Sequence, residues 1–185
     1  MKKFVLLLVV AVITFTQLVA QESTFSKGDK VLNLGIGLGG RWSGSYMKVS
    51  VPPISASLEF GVMDGVLEKG SIGVGPYLAY ASHKWEYSGY GWKITDIIIG
   101  ARGSFHYPLV DKLDTYTGLL LGYDISKETE IGTTPFGGGL YNSSYGGFSY
   151  AWFVGARYFF SDSFSAMAEL GVGITYLNLG VGLKF

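Results

Sequence analysis

The last nine residues, LNLGVGLKF, sort two kinds of side chain by strict alternation. Leu177, Leu179, Val181, Leu183 and Phe185 fall on one face, and Asn178, Gly180, Gly182 and Lys184 on the other. A period of two is that of a β-strand with unlike faces. Seven further runs repeat it upstream: Val31–Gly39, Ile54–Val62, Ile72–Ala81, Asp96–Tyr107, Tyr116–Ile125, Ser149–Tyr158 and Phe164–Gly171. In each, one face collects Leu, Ile, Val and aromatic residues, while the other collects Gly, Ser and a few charges. Ile98 is an apolar exception on the polar face.

This pattern has to be reconciled with a dry composition. Charged residues make up 15% of the chain, against a usual ~25%, and Gly accounts for 28 of 185 residues. No helix-length apolar run follows the N-terminal segment. High hydrophobicity without a spanning helix leaves a very dry soluble β-protein or a transmembrane β-barrel. A soluble ligand-binding barrel would turn its apolar face inward and its Gly-rich face to water, where so few charges make a poor solvent coat. The alternation therefore predicts an all-β fold: an eight-stranded antiparallel up-and-down transmembrane β-barrel with a filled polar interior. Each run is close to the ~9–11 residues that cross a bilayer at a steep tilt. Eight strands give a barrel whose interior side chains just fill it.

The N-terminal stretch, residues 1–20, reads as a cleaved signal peptide: Lys2 and Lys3, the apolar run Phe4 to Val12, then Leu18-Val19-Ala20 before Gln21. Its removal leaves 12 basic against 14 acidic residues, a formal charge of −2. No basic surplus points to nucleic acid. With no cysteine there is neither a lipoprotein acylation site nor a disulfide framework. Residues 21–29 read as a short periplasmic lead and 30–185 as the barrel domain.

The connections after strands 2, 4 and 6 (Met63–Gly70, Pro108–Leu113, Phe160–Ser163) look like turns. Those after strands 1, 3 and 5 are longer, up to Lys127–Gly147, while strands 7 and 8 should meet in a tight hairpin near Gly173. Short periplasmic turns and longer outer loops put both termini on the periplasmic side. Pro76 lies inside a strand of a barrel with no free edge, so a bulge or kink at Gly75-Pro76 is expected.

The C-terminal NLGVGLKF resembles the signal read by the bacterial barrel-insertion machinery: polar Asn178, Gly180, apolar Leu183 and terminal Phe185. With GARYFFSDSF, AELGVGITYL, GVGPYLAYA and TYTGLLLGYD, nearly the whole chain after the leader resembles the small outer-membrane β-barrel proteins common in Bacteroidetes, akin to OmpA-type and OmpX-type barrels. The resemblance implies a bacterial outer-membrane location, with lipid and the insertion machinery as partners. It implies no activity, because a shared barrel does not fix function.

Three constellations are candidates for chemistry. On the inward phase lie Glu59, Arg102, Arg157, Glu169 and Lys184, with Asp96 and Asp124 higher up. Buried charges require partners, so a lumen ion-pair network is expected; a small gated channel is the functional alternative. His83 and His106 fall near opposite ends of the barrel, which rules out one shared site. His83 with Ser82 or Ser88 is the further alternative, an outer-leaflet lipid-modifying enzyme, because a nucleophilic serine needs an adjacent base. Trp85, Tyr87, Tyr90 and Trp92, with Tyr141 and Tyr145, are candidate binding aromatics of the outer loops, or equally the packing of extended hairpins. No metal or cofactor motif is present. The reading is a non-enzymatic barrel with a structural or surface-interaction role.

Overall fold

A computed structural model describes residues 24–40, 47–132, 142–172 and 175–185. The expected leader, 1–20, and Tyr141 lie outside them. Eight strands follow in chain order: β1 (Lys30–Leu38), β2 (Lys48–Val66), β3 (Gly70–Tyr87), β4 (Tyr90–Val110), β5 (Leu113–Ile131), β6 (Asn142–Phe159), β7 (Phe164–Val172) and β8 (Leu177–Lys184). Each pairs antiparallel with the next, and β8 returns to β1, closing a barrel. Among the described residues no helix is long and apolar enough to cross a membrane.

The alternation sets the faces as expected. Leu34, Ile36, Leu78, Ile99, Leu119, Leu121, Trp152 and Leu179 are exposed on the outside. Asn33, Ser57, Glu59, Arg102, Asp124, Arg157 and Asn178 are buried inside. Ile98 does turn inward, where it packs with Tyr77, Ala79, Tyr116, Leu120 and Phe153.

Strand length departs from the sequence reading. β1, β7 and β8 have 9, 9 and 8 residues, but β2 through β6 have 18 to 21. Backbone pairing continues past the point where the outward side chains stop being apolar, and a hydrophobic period cannot report that. The long connection expected after the third strand is a two-residue turn, Ser88-Gly89, with φ of 51° and 81°. Two positive φ values make the type of turn that matches strand twist in hairpins. The result is a barrel with one tall wall, β2–β6, and a low rim at β7, β8 and β1.

Pro76 does not produce the expected bulge. The β2–β3 register runs unbroken from Ser57↔Tyr77 to Phe60↔Val74, and Pro76 pairs in register with Ala101 on its other side. Proline costs only the rungs facing Leu58 and Glu59. The β2–β3 register shifts fall instead between Val49 and Ile54, which contains Pro52-Pro53, and between Gly61 and Val66.

Candidate functional site

The lumen is filled in layers. At the end where the chain termini lie, Arg157 is the centre, with 0% of its surface exposed. Its Nε donates to Asp114 Oδ2 at 2.9 Å, and its Nη1 to Glu59 Oε2 at 2.9 Å and Asn33 Oδ1 at 3.1 Å. His106 bridges the same two carboxylates, Nδ1 to Asp114 Oδ1 at 2.9 Å and Nε2 to Glu59 Oε1 at 3.0 Å. Both ring nitrogens face acceptors, which only a ring with two N–H groups satisfies. Two carboxylates then balance one guanidinium and one imidazolium.

Residues 24–29 cap this layer from below. Phe25 is fully buried, its ring 4.2 Å from that of His106 and 5.2 Å from the Arg157 guanidinium carbon. Its carbonyl accepts from Ser71 Oγ at 2.8 Å, and Asp29 ties to Lys184 Nζ at 2.8 Å. The segment read as a lead is thus, over its described part, a plug seated in the barrel mouth.

One layer up, Arg102 Nη2 meets Glu169 Oε2 at 2.6 Å, and its guanidinium stacks 3.8 Å from the Phe153 ring centroid. Tyr116 Oη donates to the same Glu169 oxygen at 3.3 Å. Beside them is a space of about 30 Å³, room for about one water. The apolar layer of Ile98, Leu120 and Ala79 lies above. Higher still, Asp96 accepts from the Ser126 hydroxyl.

The expected lumen charges therefore come together in part. Glu59 joins Arg157, and Arg102 joins Glu169. Lys184 does not join either pair; it faces the plug, where Asp29 and the Thr24 carbonyl take its ammonium. His106, Asp114 and Phe25 were missed as members. His106 shared the inward phase of Arg102 and was the available signal. Asp114 sits at a strand end beside the Asp111-Lys112 turn, and Phe25 in an aperiodic stretch, so periodicity marked neither.

Of the outer aromatics, Trp85 pairs across from Trp92 and Tyr87 from Tyr90. All four fall on the phase of Ala81 and His83, the inner side of the tall wall, and Tyr145 lies opposite Ser126 on that same phase. They are hairpin residues, not loop residues. His83 and Ser82 are consecutive in β3 and face opposite sides; Ser82 Oγ donates to the Ile94 carbonyl. Ser88 is at the hairpin tip, five residues on. Among the described residues, no group of three or more His, Cys, Asp or Glu is arranged to hold a metal ion.

At the chain end, Phe185 N donates to the Lys30 carbonyl at 3.0 Å while its ring is 69% exposed. On β8, Asn178 and Gly180 lie on the inward phase and Leu183 on the outward one, and Phe185 follows the strand's last residue, Lys184.

A closed eight-stranded ring with apolar exterior and charged, filled lumen defines the fold of the small outer-membrane β-barrels. Ail, the attachment invasion locus protein of Yersinia pestis, solved with the heparin analogue sucrose octasulfate, superposes with a TM-score of 0.55 at 15% identity, over 86% of this chain and 99% of that one. The N-terminal β-barrel domain of Pseudomonas aeruginosa OprF (TM-score 0.49, 14% identity, 86% and 98% covered) and OprG from the same organism (0.49, 10%, 89% and 99%) are also similar. No protein-family model matches the chain, and no curated protein matches it in sequence.

Proposed function

We propose that the chain spans a bacterial outer membrane with both termini periplasmic, and serves there as a non-enzymatic barrel with a structural or surface-interaction role. The observation that carries this is the contrast between a filled lumen and a raised wall. Two layers of paired charge, an apolar layer and a plug occupy the interior, while β3–β6 stand far above the low rim and hold Trp85, Trp92, Tyr87 and Tyr90 in cross-strand pairs. Ail, of the same fold, was crystallised with a heparin analogue, which supports reading such barrels as able to present a ligand surface.

The protein is expected to fractionate with outer membranes, to give no single-channel steps in planar bilayers, and to leave membrane lipid composition unchanged on overexpression. Conductance altered by Arg102→Ala would replace this reading with a small channel. Modified lipids that vanish in His83→Ala would replace it with an enzyme.

The C-terminal signal enters the same proposal. Deleting Phe185 removes an exposed ring and one backbone bond, so an assembled barrel should lose little stability. Insertion by the cellular machinery should instead slow several-fold, read as precursor accumulating in the periplasm. Equal assembly with and without Phe185 would count against that role.

A further inference from the structure

The outward face of the tall wall changes character over three successive rungs. The lowest joins Tyr80, Ile97 and Ile125 and is apolar. The next joins Ser82, Thr95 and Lys127. The third is a row of lysines: Lys48 lies directly across from Lys84, and Lys84 directly across from Lys93. Neighbouring strands are ~4.8 Å apart, so these three cations stand side by side, with Lys127 one rung below on the adjoining strand. Like charges directly opposite each other destabilise a sheet.

Charge on the wall is segregated by face. Asp96 and Asp124 are buried on the inner phase. Glu128 and Glu130 pair with Ile94 and Trp92 on that same phase. Among the described residues, the lysines on the outward face of this region meet a single carboxylate, Glu86, 3.4 Å from Lys84. This basic strip belongs to a chain with no basic surplus.

Its height matters. Two rungs correspond to four residues, ~13 Å along a strand, or roughly 10 Å above Ile97 and Ile125 at a ~40° tilt. That lies at the outer edge of the headgroup zone, which adds about 5–8 Å to each side of the hydrocarbon, and lysine stems reach down into it. We infer that Lys48, Lys84, Lys93 and Lys127 form a docking strip for the phosphate-bearing headgroup of an outer-leaflet lipid. Thr95 lies just beneath the lysine row, whereas Ser82 is fully buried with its hydroxyl donated to the Ile94 carbonyl. This inference rests on the outer-membrane reading above.

The test uses the full chain without its leader, folded into phosphatidylcholine nanodiscs that contain diphosphorylated lipid A or its dephosphorylated counterpart. Native mass spectrometry counts the glycolipid retained. Wild-type protein should retain the phosphorylated form about tenfold better, and the preference should weaken in high salt. Lys48→Gln/Lys84→Gln/Lys93→Gln/Lys127→Gln, whose gel shift on heating reports folding, should lose the preference. A preference surviving in the folded quadruple variant, or none in the wild type, overturns the inference. Displacement by millimolar inorganic phosphate would also overturn it, in favour of a soluble anion. Should the quadruple variant not fold, Lys84→Gln/Lys93→Gln is read the same way. A wild-type chain that will not insert into lipid at all fails the outer-membrane reading instead.

Discussion

Arg157→Ala should cost about 3–5 kcal/mol of folding free energy, the range for removing one partner from a buried charge cluster. Arg157 supplies hydrogen bonds to both Glu59 and Asp114. Without it, His106 alone faces two carboxylates. The substitution is therefore worse than the loss of three or four hydrogen bonds, because the groups left behind have no water to turn to. Urea titration of the folded barrel in lipid vesicles, followed by the heat-dependent gel shift, gives the free energy. Arg157→Ala/Asp114→Ala should cost clearly less than the two single changes added together, since the second removal relieves the charge stranded by the first. Arg157→Lys should recover little, because one ammonium cannot reproduce a fork that spans two carboxylates and Asn33. A loss below about 1 kcal/mol would mean the lumen is wet enough to solvate the carboxylates, and the tightly filled interior would have to be given up.

Phe25→Ala should have the second largest effect, about 3–5 kcal/mol, as for other fully buried phenylalanines. The ring covers His106 and Arg157, so its removal also admits water to the charged layer. Phe25→Leu should recover much of the loss, since the site needs apolar volume more than a π-face. Truncation up to Asp29 should cost at least as much as Phe25→Ala, because the Ser71, Asp64 and Lys184 bonds go with it. The same urea titration decides: full stability in the truncated chain would show that residues 24–29 rest on the barrel without supporting it.

These two residues also mark where the sequence could and could not be read. Arg157 declared itself, since a charge on the Gly-rich phase of a strand has nowhere to go but inward. Which charge it meets was not legible. That depends on the stagger of strands around a closed ring, which brings Asp114 of β5 and Glu59 of β2 to the same arginine. Phe25 gave no sign, because one aromatic in a polar, aperiodic stretch has no phase to assign. The tall wall was half legible for a related reason. Trp85, Tyr87, Tyr90 and Trp92 stood out by composition, yet their side of the sheet emerges only once β3 and β4 are known to stay paired up to Tyr87↔Tyr90. The rungs of Lys48, Lys84 and Lys93 come from three separate strands, so no linear motif announces them.

The uneven wall also bears on the order of events by which the ring comes to exist. β4 and β5 stay paired from Gly91↔Ile131 to Val110↔Leu113 and are local in sequence, so their hairpin can form early. The joint between β1 and β8 is opposite in every respect. It runs only from Val31↔Lys184 to Leu38↔Leu177 and joins the two ends of the chain. It is also threaded with Gly35 and Gly180, where a side chain on Gly180 would run into the Leu34 carbonyl. Such a joint carries the largest loop-closure entropy on a ladder of only eight rungs. It is the natural last step of closure and the first place to part under load. The bond from Phe185 to Lys30 fastens that joint at its lower end, and the Asp29–Lys184 pair fastens it beside the plug. The segment that corks the mouth is thus also a clasp across the slowest-closing edge of the cylinder.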